Sequence, residues 1–447
     1  MKMSEKVHDF KIGQPFLYEK PSSYEEYLDA VLAAEKYIAE AAKEDEDGIY
    51  WQDNATLYSG DAGILYLYIK LYETTKDDRF LEIVKKASKR LARHWKDFLD
   101  AEPTLPLPGA HEGLHFGLGG LSIALAESYK INPDEEVADA VKGIGEHYIN
   151  TATRDENGIF FTGGTGLAMD GGIILVLLGQ YELFGGEELK KAILDAAAHY
   201  LAAGERKSDG AIEYNGFKGA LPISLPNFEF GTSGSGYLLT KLYDFTGDKA
   251  YLDAALACAD YLDGIKIKQT KGRLIPHHVY GPADEEPVFY LSSCHGPEGT
   301  AKLYYRLYEL TGDDKWLKET EELVDGLEAL GAPEKMSAGL WNNVCLCCGQ
   351  AGMVQFFVGL YRGTHNERYH DLALRAANVL LGEKETDENG AAYWPMAWER
   401  VKPEAIDTGR GYYDGAAGVA SGLLQIYLNE NGNFNWTRLG DDPFPAN

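Results

Sequence analysis

The chain has 447 residues, 45% of them apolar, enough to bury a large core, so global disorder is excluded. Its 42 Lys and Arg stand against 70 Asp and Glu, a formal charge of −28. Such a surface repels phosphate backbones and anionic lipid heads, which argues against nucleic-acid and membrane-surface roles; a basic peptide would be attracted, and solubility is the plainer use of the charge.

In chain order, Met1 to Phe10 carries no apolar signal core. No later run of about 20 uncharged apolar residues could cross a bilayer, so no membrane insertion is expected and the expected location is cytoplasmic. Tyr24 to Ala42 then reads as an amphipathic helix.

After it a unit recurs: Gly-x-x-Gly, an apolar helix, and a Tyr twelve residues beyond the first Gly. It reads Gly60-x-x-Gly63 with Tyr72, Gly117-x-x-Gly120 with Tyr129, and Gly231-x-x-Gly234 with Tyr243. It continues as Gly296-x-x-Gly299 with Tyr308, Gly349-x-x-Gly352 with Tyr361, and Gly415-x-x-Gly418 with Tyr427. In the third copy Met169 takes the first Gly position, while Gly172 and Tyr181 keep theirs. One Gly-x-x-Gly says nothing; seven in register with an aromatic partner define a repeat protein.

The helices that open each unit, such as Ile64 to Leu71 and Ile173 to Leu178, are apolar almost all round, as enclosed helices are. Those that follow, such as Phe80 to Trp95 and Leu189 to Leu201, are amphipathic and are preceded by stop–start signals such as Thr246-Gly247-Asp248. The expectation is an all-α (α/α)7 double-ring barrel, or toroid, forming one domain over residues 1–447. Seven buried helices make the inner ring. The helix at Tyr24 to Ala42 covers the seventh inner helix, which has no partner after it, and brings the two ends together.

Glycines at the start of each inner helix let backbones crowd at one rim, so residues just before the first Gly should line a shared cavity. In the fifth and sixth units these are Cys294-His295-Gly296 and Cys347-Cys348-Gly349. Three thiols from neighbouring loops suit a zinc ion with one open coordination position. Small buried residues beside glycines are the bland alternative. The chain's two other cysteines are Cys345 and Cys258. Five clustered cysteines in a reducing compartment point away from a disulfide scaffold. Cys345-x-x-Cys348 could be a redox pair but lacks the strand–helix setting such pairs use. Cys258 reads as core.

His115, two residues before Gly117, shares the register of Cys294 and Cys347. It also completes His111-Glu112-x-x-His115, the zinc-protease pattern, which needs a helix. Pro103, Pro106 and Pro108 before it and the Gly-rich turn after it make a chance match the better reading. His277-His278 reads as a solvated loop pair.

The repeat order with Cys294-His295-Gly296 and Cys347-Cys348-Gly349 resembles the lanthionine synthetase C-like family over essentially the whole chain. The resemblance implies a seven-repeat double-ring barrel with one zinc ion, Zn2+, held by Cys294, Cys347 and Cys348. Cys348 stands where most members have His. The resemblance further implies a stand-alone cyclase of lanthipeptide biosynthesis, adding a peptide Cys thiol to dehydroalanine or dehydrobutyrine to form (methyl)lanthionine thioether rings. Its partners would be a precursor peptide and a separate dehydratase. His295 is the first candidate to protonate the enolate and His115 the second.

Four positions depart from the family pattern: Phe230 replaces a His, with Glu229 beside it; Thr165 replaces an Asp, Tyr290 an Arg and Ser293 a Trp. These departures support a rival reading, a zinc-containing scaffold that binds a peptide or glutathione without turnover. A third reading, a helical-toroid carbohydrate enzyme using Asp414, Glu112 and Tyr290, leaves the cysteines without a task.

Overall fold

A computed structural model describes residues 15–16, 18–103, 107, 109–217, 222–280, 286–336, 343–397, 404–436 and 438–446. Met1 to Phe10 and the prolines Pro106 and Pro108 lie outside them. The inner helices are α2 (Asp61–Thr75), α4 (Leu118–Ile131), α6 (Asp170–Phe184), α8 (Thr232–Thr246), α10 (Pro297–Thr311), α12 (Gln350–Thr364) and α14 (Ala416–Glu430). Each packs on the next, and α14 packs back on α2, which closes the ring. The outer helices are α1 (Glu25–Ala39), α3 (Asp78–His94), α5 (Glu135–Thr151), α7 (Glu187–Ala202), α9 (Lys249–Gly264), α11 (Lys315–Ala329) and α13 (Glu367–Gly382). The last six each back the inner helix before them, and α1 covers α14. Strands among the described residues form only two-stranded antiparallel pairs at the periphery, none longer than three residues. The barrel is therefore the (α/α)7 double ring that the repeats predict.

The repeat residues earn their spacing locally. The first Gly of each unit, or Met169 in the third, is the N-cap of its inner helix. The second Gly lies against a carbonyl of its own entry loop. A Cβ at Gly418 would sit 1.8 Å from the Tyr412 oxygen, and one at Gly234 would sit 1.8 Å from that of Phe228. At the other end the repeat Tyr offers its carbonyl to the first N–H past the helix, as in Gly247 to Tyr243 and Gly312 to Tyr308, both 2.8 Å. Only α4 differs, where Asn132 bonds to Ser128 at 2.9 Å. Four of the outer helices, α3, α5, α9 and α13, start on side-chain caps from Asp77, Asp134, Asp248 and Asn366, each contributing about 1 kcal/mol.

The first residue of an inner helix also ties down the chain that leads into it. Asp61 Oδ1 accepts the N–H groups of Trp51 (2.9 Å) and Gln52 (2.8 Å). Asp170 does the same for Phe161 and Thr162, and Thr232 Oγ1 for Tyr214. Among the described residues no helix is long and apolar enough to cross a membrane.

Candidate metal centre

The loops entering the inner helices are joined into a belt by backbone hydrogen bonds between repeats. Tyr58 N–H donates to the His115 carbonyl (3.0 Å), Tyr413 to Tyr58 (2.8 Å), Cys347 to Tyr413 (3.0 Å), Cys294 to Cys347 (3.3 Å) and Glu229 to Cys294 (3.3 Å). The third unit, one residue shorter, closes the circle through Ala168 to Glu229 (2.9 Å) and Leu114 to Leu167 (3.2 Å). Six of the seven units thus present the residue two before the cap at the same height: Tyr58, His115, Glu229, Cys294, Cys347 and Tyr413. All six line one cavity of about 300 Å³.

One wall of that cavity is sulfur. Cys294 Sγ and Cys348 Sγ are 3.4 Å apart, as are Cys348 Sγ and Cys347 Sγ, and all three lie within 4.8 Å of one another. This is the one group of metal-ligand side chains that converges among the described residues. The sulfurs share their protons. Hydrogen bonding to Cys294 drives the Cys347 and Cys348 thiols well above their ordinary pKa. Burial opposes ionisation of Cys294 too, but the bonds from its two neighbours carry it down to about 6. Three soft donors converging at the edge of a cavity can hold a metal ion and leave a coordination position facing the cavity.

The facing wall is an imidazole. His115 is 3% exposed, and its Nδ1 lies 2.7 Å from Glu229 Oε1. Its Nε2 has no hydrogen-bond partner among the described residues. Burial disfavours the imidazolium, but Glu229 and then Asp441 outweigh it and raise the pKa to about 10. The remaining walls are largely aromatic: Tyr58 stacks on Phe116 (4.2 Å) and His115 meets the Tyr413 ring at 4.7 Å.

His295 lines the same cavity, with its Nδ1 against the Asn227 amide. Burial, then His277 beside it, holds its pKa well below the ordinary histidine range. That neighbour extends an expectation: His277 and His278 are a half-buried loop pair, their Nδ1 atoms 3.1 Å apart, and His277 also turns toward the site. The loop turns back through a 2.8 Å bond from His277 N–H to the Val288 carbonyl. The His277 ring then lies 4.4 Å from that of His295 and 4.2 Å from that of Tyr290.

Phe230, Tyr290 and Ser293 reach the cavity; Thr165, Glu112 and Asp414 do not line it. Cys345 is buried and accepts the Cys348 N–H at 3.3 Å, and Cys258 is buried within α9. Residues 111–116 form turns rather than a helix, and His111 Nε2 is held by the Phe98 carbonyl (2.9 Å), so the His-Glu-x-x-His pattern is a chance match.

Sequence reasoning placed the three cysteines, His115 and His295 at this mouth, and the fold brings them together. It passed over Glu229, Tyr58 and Tyr413, although the register that selected His115 points to each of them. It had no signal for Asp441, which belongs to no repeat.

Comparison with known proteins gives a consistent account. The family described as lanthionine synthetase C-like protein matches residues 51–439. Among solved structures, nisin cyclase is similar with a TM-score of 0.61 at 13% identity, over 93% of this chain and 96% of that one. A cellobiose 2-epimerase from Bacillus thermoamylovorans reaches a TM-score of 0.47 at 12% identity, over 91% and 99% of the two chains. No curated protein sequence matches the chain. The likeness to nisin cyclase is one of fold.

Proposed function

The chain belongs to the lanthionine synthetase C-like family, and we propose that it is a zinc-dependent enzyme that adds a peptide Cys thiol to dehydroalanine or dehydrobutyrine, closing a thioether ring. One juxtaposition carries the reading: three Cys sulfurs on one wall of a cavity and a carboxylate-held imidazole on the wall opposite. Cys294, Cys347 and Cys348 are the proposed ligands, since three thiolates with an open fourth position suit zinc. Zinc bound there would keep a substrate thiol deprotonated near neutral pH, ready to attack.

The protein's own groups do the rest. As sulfur bonds to the β-carbon, the α-carbon must gain a proton, so the thiol proton is replaced by a C–H and the peptide mass is unchanged. His115 is the proposed donor: its ring lines the cavity, Glu229 raises its pKa, and its Nε2 makes no hydrogen bond among the described residues. His295 is the second candidate; as a neutral ring fixed by Asn227, it is better placed to orient the Cys294 loop. The aromatic walls keep water from the alkene and strengthen the His115–Glu229 pair.

The proposed substrate is a precursor peptide dehydrated by a separate enzyme in the cytoplasm, where thiols stay reduced. Binding of such a peptide, or of glutathione, without turnover is the second reading, favoured by the apolar Phe230 at the cavity. The deciding experiment incubates the zinc-loaded protein with a dehydrated Cys-containing peptide. Loss of free thiol at constant peptide mass supports the enzyme; binding with no thiol consumed leaves the scaffold.

A further inference from the structure

After α14 the chain leaves the register of the repeats and crosses the hollow of the ring. Trp436 lies 4.6 Å from the Lys70 ammonium of α2, and Tyr237 of α8 donates to the Gly440 carbonyl at 2.8 Å. Phe444 packs on Tyr305 of α10 (5.0 Å) and Phe356 of α12 (6.2 Å). The segment is also bound to itself: Trp436 N–H donates to the Ala446 carbonyl (2.8 Å), and the Arg438 guanidinium to that of Pro443 (3.1 Å). A terminal segment held this way has a fixed shape and carries its side chains to defined places.

One of those places is the mouth. Asp441 is 5% exposed and lines the same cavity as the thiols. Its Oδ2 lies 3.7 Å from His115 Nε2 and 3.7 Å from Lys302 Nζ of α10. We propose that the C-terminal tail is a working part of the site, with Asp441 a positioning residue that brackets the His115 imidazole opposite Glu229 and sets the direction of its Nε2–H.

The geometry divides the labour. Glu229 engages Nδ1 at hydrogen-bond distance and fixes the plane of the ring. Asp441 faces Nε2 from beyond hydrogen-bond distance, so it attracts the proton there without tying it up. Burial opposes a charge on Asp441, but Lys302 and His115 outweigh it and hold its pKa well below the ordinary carboxylate range. The plainer role for Asp441, as counter-ion to a buried Lys302, is what the test has to separate.

The consequence for turnover rests on the thiol-addition reading, while the placement of His115 does not. The test is therefore read first by NMR of ring-15N-labelled histidine in the full-length, zinc-loaded protein, with His115 assigned by loss of its signals in His115→Gln. At pH 7.5 the groups facing the ring are Glu229, Asp441 and Tyr413, with Lys302 behind Asp441. The wild type should show His115 protonated on both nitrogens, and a neutral ring overturns the proposal even if no variant folds. Asp441→Asn should shift the His115 signals toward the neutral form and lower kcat by about 10–100-fold with KM nearly unchanged, the usual scale for a residue acting through another. Asp441→Glu should recover part of both.

If Lys302→Met and the Lys302→Met/Asp441→Asn pair give the same His115 signals, Asp441 is only a counter-ion and the proposal fails. If no wild-type thiol is consumed while the His115 signals respond to Asp441 as described, the tail assignment stands and the cyclase reading falls.

Discussion

Where the inner helices begin, the Cys294 N–H donates to Cys347 and its carbonyl accepts from Glu229, so each loop is bonded to the next repeat. Where they end, Gly312 bonds back only to Tyr308 of its own helix, and nothing lies within 4 Å of a Cβ built on it. In their backbone bonding the same units therefore make one rim that is collective and another whose caps are local. Polar side chains can be buried at the first rim because the backbone groups around them are already satisfied across repeats. Asp61, His115, Glu229 and the Cys cluster all occur there. At the opposite rim the backbone caps are local and neighbouring helices are tied by side chains, as in Arg306 with Asp244 and Arg362 with Asn429, while the C-terminal tail reaches the site by crossing the lumen.

The contrast is sharpest at the sulfur wall. Cys347→Ala should abolish stoichiometric metal binding and with it thiol addition, whereas Cys258→Ala, buried in α9 away from the mouth, should retain both; elemental analysis and a thiol assay decide. Next in size, His115→Gln should leave zinc in place and slow thiol addition by about 10²–10⁴-fold, the usual contribution of a positioned acid or base. Full activity in that variant would remove the imidazole wall from the mechanism.

The two rims can also be compared by one chemical change. Gly418→Ala places a methyl group 1.8 Å from the Tyr412 carbonyl in the belt, and should cost more than about 3 kcal/mol in denaturant unfolding. Gly312→Ala, at φ +65 with open space around it, should cost only the left-handed penalty of about 1–2 kcal/mol. Equal losses would mean that the belt is no tighter than the turns.

A further effect is a pH dependence. Burial raises the Asp61 pKa to about 7 against the two N–H bonds it accepts. A carboxyl whose folded pKa is raised costs nothing below its unfolded pKa near 4, and costs progressively more as pH climbs to about 7. Asp61→Asn keeps both bonds, since both end on Oδ1, and should gain stability over wild type between pH 5 and pH 8 by roughly 1–3 kcal/mol. An unchanged difference across that range would place the charge in a more polar setting than burial implies.

Much of this molecule is legible in one dimension. The Gly-x-x-Gly and Tyr spacing specifies where each inner helix is capped and closed, because both contacts lie within one unit. Register alone assembles Cys294, Cys347 and His115, since every loop meets its neighbour in the same way around the ring. Applied to the fourth unit it also reaches Glu229, which the more conspicuous Phe230 beside it obscured.

What register could not supply are contacts between groups with no common period. His277 folds back onto His295 through a bond within its own loop, and Glu229 finds His115 across the cavity, 114 positions away in the chain. Asp441 arrives from a tail that repeats nothing. The sequence by itself determined the ring, its seven caps and the sulfur wall, because each follows from a pattern that every unit restates. Only the closed tertiary structure decided which carboxylates bracket the imidazole, because those meetings depend on the width of the lumen and the path of the tail through it.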